Sequence, residues 1–132
     1  MKLTKGLIKA DIIAARQAIE YFEQKNNKDV KNIAAYHLQQ AAEKLIKLQL
    51  YSALQSTDNK RMYTHDLNKL IDYAESENLN LSVPKYVRDH MNTLTEWEAG
   101  SRYDIGFSIR IDTLKKAYEV ISEWEKKIQD WK

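Results

Sequence analysis

The sequence predicts an all-α chain, an up-and-down four-helix bundle with one additional short helix. Three observations carry that expectation. Apolar side chains return every three or four residues through most of the chain, which is the spacing of one helix face. Only three glycines and one proline punctuate 132 residues, too few for the tight turns of a sheet-rich fold. The stretch 30–50, VKNIAAYHLQQAAEKLIKLQL, contains neither breaker. Within it Val30, Ala34, Leu38, Ala41, Leu45 and Leu48 form one stripe, and Ile33, Ala42, Ile46 and Leu50 widen it. A stripe that wide predicts a central helix facing two neighbours.

The elements follow in order. Residues 3–24 read as a first helix, with Leu7, Ala10, Ala14, Ala18 and Phe22 on one side and Ile8, Ile12, Ala15 and Ile19 broadening it. Asn26, Asn27 and Lys28 interrupt the pattern, and Asn27 or Asp29 can cap the second helix, which extends at most to Leu54. Residues 56–60 are a polar linker. Thr64 then caps a short third helix carrying Leu67, Leu70, Ile71 and Ala74 and ending near Asn78. Ser82 and Pro84 open a fourth helix that runs to Glu98, with Val87, Met91 and Leu94 inward. Residues 98–107, EAGSRYDIGF, are a non-periodic break. The last helix spans 108–131 on the stripe Ile111, Leu114, Ala117, Ile121, Trp124, Ile128 and Trp131. No linker divides the chain, so residues 1–132 read as one domain.

Composition narrows the function classes. A 43% hydrophobic and 30% charged chain can bury a core and keep a solvated surface. A net charge of +2 neither reveals nor excludes a basic patch for nucleic acid. Without cysteine there is no disulfide framework and no thiolate metal site. His37, His65 and His90 sit on three elements in no zinc spacing, so no metal and no cofactor is expected. The start, MKLTKGLIKADII, is interrupted by Lys5, Lys9 and Asp11, and no apolar run approaches a membrane span. A cytoplasmic location is the expectation.

Two groups of residues can carry chemistry. Arg102, Tyr103 and Asp104 stand between Gly100 and Gly106. An arginine fork holds a phosphate or carboxylate by paired hydrogen bonds, and Tyr103 can stack on a base. The plain alternative is that Arg102 pairs with Asp104 or Glu98 while Tyr103 packs over a helix end. On the second helix His37, Gln40 and Lys44 share one side and can line a cleft or interface. Equally, His37 can be a core histidine satisfied by Tyr36, Tyr103 or a carbonyl. Glu43 and Lys47 read as a surface pair.

AAYHLQQAAEKLIKLQL, then THDLNKLI, then SRYD before a long final helix, closely resemble the HEPN domain family, in order and over nearly the whole chain. The residues that match its signatures are His37 with Gln39 to Lys44, then His65, Asp66 and Leu67, then Arg102 and Tyr103. The resemblance implies a compact helical bundle that forms a homodimer. It also implies action beside a minimal nucleotidyltransferase in toxin–antitoxin or defence systems. Several members are metal-independent RNases, whose motif is an arginine followed after four to six residues by a histidine. Here Arg102 is followed by Tyr103, Asp104, Ile105, Gly106, Phe107, Ser108 and Ile109, with no histidine to move a proton. The expectation is therefore a non-nucleolytic dimeric module. Its Arg102 loop, with Tyr103, His37, Gln40 and Lys44, would bind the nucleotidyltransferase, a nucleotide or an RNA phosphate. The alternative is an endoribonuclease using Arg102 with Tyr103, Asp104 or His37.

Overall fold

The computed structural model describes residues 5–103 and 107–129, and within them every side chain except those of Arg102, Tyr103 and Gln129. A two-residue turn folds α1 (Lys5–Lys25) back on α2 (Lys28–Ala53) as an antiparallel hairpin. Asn26 takes φ 53°, a left-handed conformation that asparagine tolerates, and its amide closes α1 on the Phe22 carbonyl at 2.7 Å. Asn27 caps α2, its Oδ1 accepting from the Asp29 amide at 2.9 Å.

α2 is the pillar of the molecule and packs against α1, α4, α6 and α7. Its Ala34, Ala35, Leu38, Ala41, Ala42, Leu45, Ile46 and Leu50 are all 1% exposed or less. The alanines let neighbouring backbones approach closely, and the leucines fill the remaining space. α1 contributes Ile8, Ile12, Ala15, Ala18 and Ile19 to this core, whereas Leu7 and Ala10 stay exposed. Both stripes of α1 are apolar, so its own pattern leaves the choice open, and packing against α2 and α7 selects the isoleucine-rich one. α7 (Ile111–Gln129) closes the core with Leu114, Ala117, Ile121, Trp124 and Ile128.

The expected all-α class holds, but the four-helix bundle with one short extra helix does not: the described residues form seven helices. The expected third helix is α4 (Leu67–Ser76), and ahead of it, starting within the expected linker, stands an unexpected short helix, α3 (Asn59–Met62). Two caps lie too close together for one helix. Asp58 accepts from the Lys60 and Arg61 amides, and Asp66, not Thr64, accepts from the Asn68 amide to start α4. The expected fourth helix divides at His90 into α5 (Lys85–Asp89) and α6 (Met91–Tyr103). In an unbroken helix the Tyr86 carbonyl would accept the His90 amide. Instead the His90 ring Nδ1 occupies that carbonyl at 2.7 Å, and the amide turns to Val87 O. α6 then runs through Gly100, so the expected break begins later than Glu98. α7 starts at Ile111 rather than Ser108.

The stretch between α4 and α5 has no helix of its own, and two core residues fasten it. Gln49, fully buried, donates to Ser82 O at 2.9 Å and accepts from Ser82 N at 2.7 Å, while the Trp124 indole donates to the same carbonyl at 2.8 Å. Among the described residues, no helix is long and apolar enough to cross a membrane.

Candidate functional site

The core face of α2 fixes where its polar face must lie. His37, Gln40, Glu43, Lys44 and Lys47 recur at helical spacing along the rim of that core, with α1 on one side and α6 on the other.

On the α1 side the centre is Asp11, 8% exposed. Its Oδ1 accepts from His37 Nδ1 at 2.8 Å, and its Oδ2 accepts from Lys44 Nζ at 2.6 Å. An ionised carboxylate only accepts, so in this contact His37 donates from Nδ1. Tyr36 packs edge-on against the imidazole, ring centroids 5.3 Å apart.

Toward α6 the centre is Glu43, 4% exposed. Its Oε1 accepts from Gln39 Nε2 at 3.1 Å and from His65 Nδ1 at 2.8 Å, and its Oε2 accepts from Lys47 Nζ at 2.9 Å. Gln39 Nε2 also donates to the His65 carbonyl, and Gln40 donates to Gln39 Oε1 at 2.8 Å. The other nitrogen of His65 lies 3.8 Å from Oε1 of Glu98 on α6, close enough for a charge contact but too far for a hydrogen bond. A buried carboxylate costs several kcal/mol unless its lone pairs are met, and both centres meet theirs.

Glu98 is one helical turn before Arg102. The backbone of Arg102 and Tyr103 belongs to α6, their side chains fall outside the described set, and Asp104 lies outside the described residues altogether. Phe107 lies against Gly100, where a Cβ would stand 2.7 Å from the ring. Gly100 therefore serves as a close-packing point rather than a helix breaker.

The three α2 residues singled out from the sequence do not act as one row. His37 and Lys44 converge on Asp11, while Gln40 turns to Gln39. Glu43 and Lys47 do pair, but the carboxylate is buried and not at the surface. Sequence reasoning did not single out Asp11, and it named Glu43 only in a surface pair and a family signature, His65 only in a signature and Glu98 only as a partner for Arg102. The signal available was a charge set among core positions: Asp11 lies between Ile8 and Ile12, and Glu98 follows Trp97 and lies four residues after Leu94. Among the described residues no three acidic or histidine side chains gather to hold a metal ion.

The profile of the HEPN domain family matches residues 11–130, a span that starts at Asp11 and includes both carboxylate centres and Arg102. The chain belongs to the HEPN domain family. No curated protein and no solved structure matches it. The polar seam of this HEPN domain thus joins three elements far apart in sequence, α1, α2 and the start of α4, to the end of α6 that carries Arg102.

Proposed function

We propose that this HEPN domain is a non-catalytic, homodimeric binding module. Its Arg102 end of α6 takes a phosphate of a nucleotide or nucleic acid, or an acidic surface of a minimal nucleotidyltransferase partner. The observation that carries the reading is His65. Its Nδ1 is hydrogen-bonded to the buried Glu43 at 2.8 Å, while its half-exposed Nε2 side lies 3.8 Å from Glu98 on α6. Glu43 thus ties His65 into the packing seam between α2 and the start of α4, and no histidine follows Arg102 in the sequence to move a proton there. His37 has its Nδ1 committed to Asp11 in the same manner. Arginine itself stays protonated and stabilises phosphate charge without exchanging protons.

The test combines size determination in solution with titration of a labelled RNA and of a candidate nucleotidyltransferase. The expected results are a dimer, saturable binding that Arg102→Ala weakens, and intact RNA after long incubation with or without chelator. A monomer that binds neither probe sinks the proposal. RNA hydrolysis that disappears in Arg102→Ala establishes the endoribonuclease instead.

A further inference from the structure

The short helix α3 is attached to α4 by side chains. Arg61 lays its guanidinium over the Tyr73 ring at 4.7 Å and donates from Nη1 to Ser76 Oγ at 2.9 Å. The Tyr73 hydroxyl in turn accepts from the Asp58 amide at 2.8 Å, and Met62 is buried beneath. These contacts leave a cleft of about 370 Å³ between the two helices, lined by Lys60, Arg61, Tyr63, Thr64, Lys69 and Asp72.

Two features of this cleft have no part in holding the fold together. Tyr63 is 92% exposed, so its ring contributes almost nothing to the core. Among the described residues Lys60 and Lys69 have no side-chain hydrogen bond or ion pair, even though Asp72 lies one turn beyond Lys69. The wall behind them is firm, because Thr64 accepts from the Asp66 amide at 3.0 Å and the next residue, His65, is tied to Glu43. An open aromatic face beside unpaired ammonium groups suits a flexible polyanion whose bases can stack. Asp72 argues against a bare anion, which it would repel. A nucleotide unit offers it sugar hydroxyls or base N–H groups to accept from while its phosphates meet the lysines.

We propose that the α3–α4 cleft binds single-stranded nucleic acid, with one base stacked on Tyr63 and neighbouring phosphates on Lys60 and Lys69. The site lies on other elements than Arg102 and stands independently of the function proposed above.

The experiment is fluorescence anisotropy of a labelled single-stranded RNA with the intact chain across a salt series. Tyr63→Ala should weaken binding about tenfold while Tyr63→Phe keeps it, since stacking needs the ring and not the hydroxyl. Lys60→Ala combined with Lys69→Ala should weaken binding and lower the salt slope by about 1.4, from ~0.7 per phosphate contact on a single strand. All three positions are exposed, so these variants should keep the wild-type circular dichroism and melting curve. A duplex of the same sequence should compete poorly because its bases are already stacked. Unchanged affinity in both Tyr63→Ala and the double lysine variant overturns the proposal, as does equal binding of the duplex. Loss in Arg102→Ala alone, with the cleft variants unaffected, overturns this site and leaves the Arg102 reading standing; the reverse pattern does the opposite.

Discussion

Lys44 and Lys47 on α2, and Lys60 and Lys69 at the α3–α4 cleft, are the same residue type in opposite circumstances. The first two have side chains 19% and 14% exposed, and each holds a carboxylate that is itself almost wholly buried. The second two stand in solvent with no partner among the described residues. The difference teaches that a cation's role in this domain follows from the burial of the acid opposite it. Where Asp11 or Glu43 is enclosed, the lysine belongs to the scaffold. Where Asp72 is exposed and offset, the lysine remains available to a ligand.

The largest effect that can test this contrast is Glu43→Ala. It strands Gln39, His65 and Lys47 at once, and removing one partner of a buried ionic group costs about 3–5 kcal/mol. Urea denaturation measures it, and a loss below about 1 kcal/mol would mean the Glu43 centre is not structural. Asp11→Ala should cost less, about 2 kcal/mol, because it abandons only His37 and Lys44, 29% and 19% exposed, whereas Glu43→Ala also takes a partner from the fully buried Gln39. If Asp11→Ala proved the more damaging, burial would not be the quantity that ranks the two centres.

Smaller effects sharpen the picture at the edges. Gly100→Ala gains about 1 kcal/mol of helix propensity but drives a methyl to 2.7 Å from the Phe107 ring, and overpacking costs about 1–3 kcal/mol. A net loss near 1 kcal/mol by thermal melting is expected, with Phe107→Ala restoring tolerance of the methyl. Tyr86 serves as a control away from both regions. Burial raises its hydroxyl pKa above the ordinary value, so above about pH 10 the unfolded chain releases this proton first and stability falls with rising pH. Tyr86→Phe should flatten that alkaline decline and leave stability at pH 7 nearly unchanged. Smallest of all, Lys60→Ala with Lys69→Ala should alter stability by no more than about 0.5 kcal/mol. A larger loss would show that those lysines serve the fold after all.

The long helices were legible because each carries its own period. Residues 3–24, 30–50 and 108–131 were expected as helices, and α1, α2 and α7 occupy those stretches within a few residues at each end. The seven-helix arrangement was not legible. The separation of α5 from α6 depends on the His90 ring taking the Tyr86 carbonyl, and nothing in YVRDHM announces that rotamer. Thr64 was the expected cap, but its hydroxyl accepts from the Asp66 amide and it is Asp66 that accepts from Asn68 to start α4. The candidate site was half legible. His37 and Lys44 stood out, but the acid that joins them lies 33 residues before Lys44 on another helix.

By itself the sequence determined the helical class, the central place of α2 and the family signatures, since these rest on neighbours within a turn or two of the chain. Tertiary structure alone decided which apolar stripe of α1 faces inward, which helices divide, and which lysines are bound to a carboxylate and which stand open. The physical reason is that burial and charge pairing are set by contacts between residues brought together only when the helices pack. Asp11 with Lys44 and Glu43 with His65 acquire their partners at that step and not before.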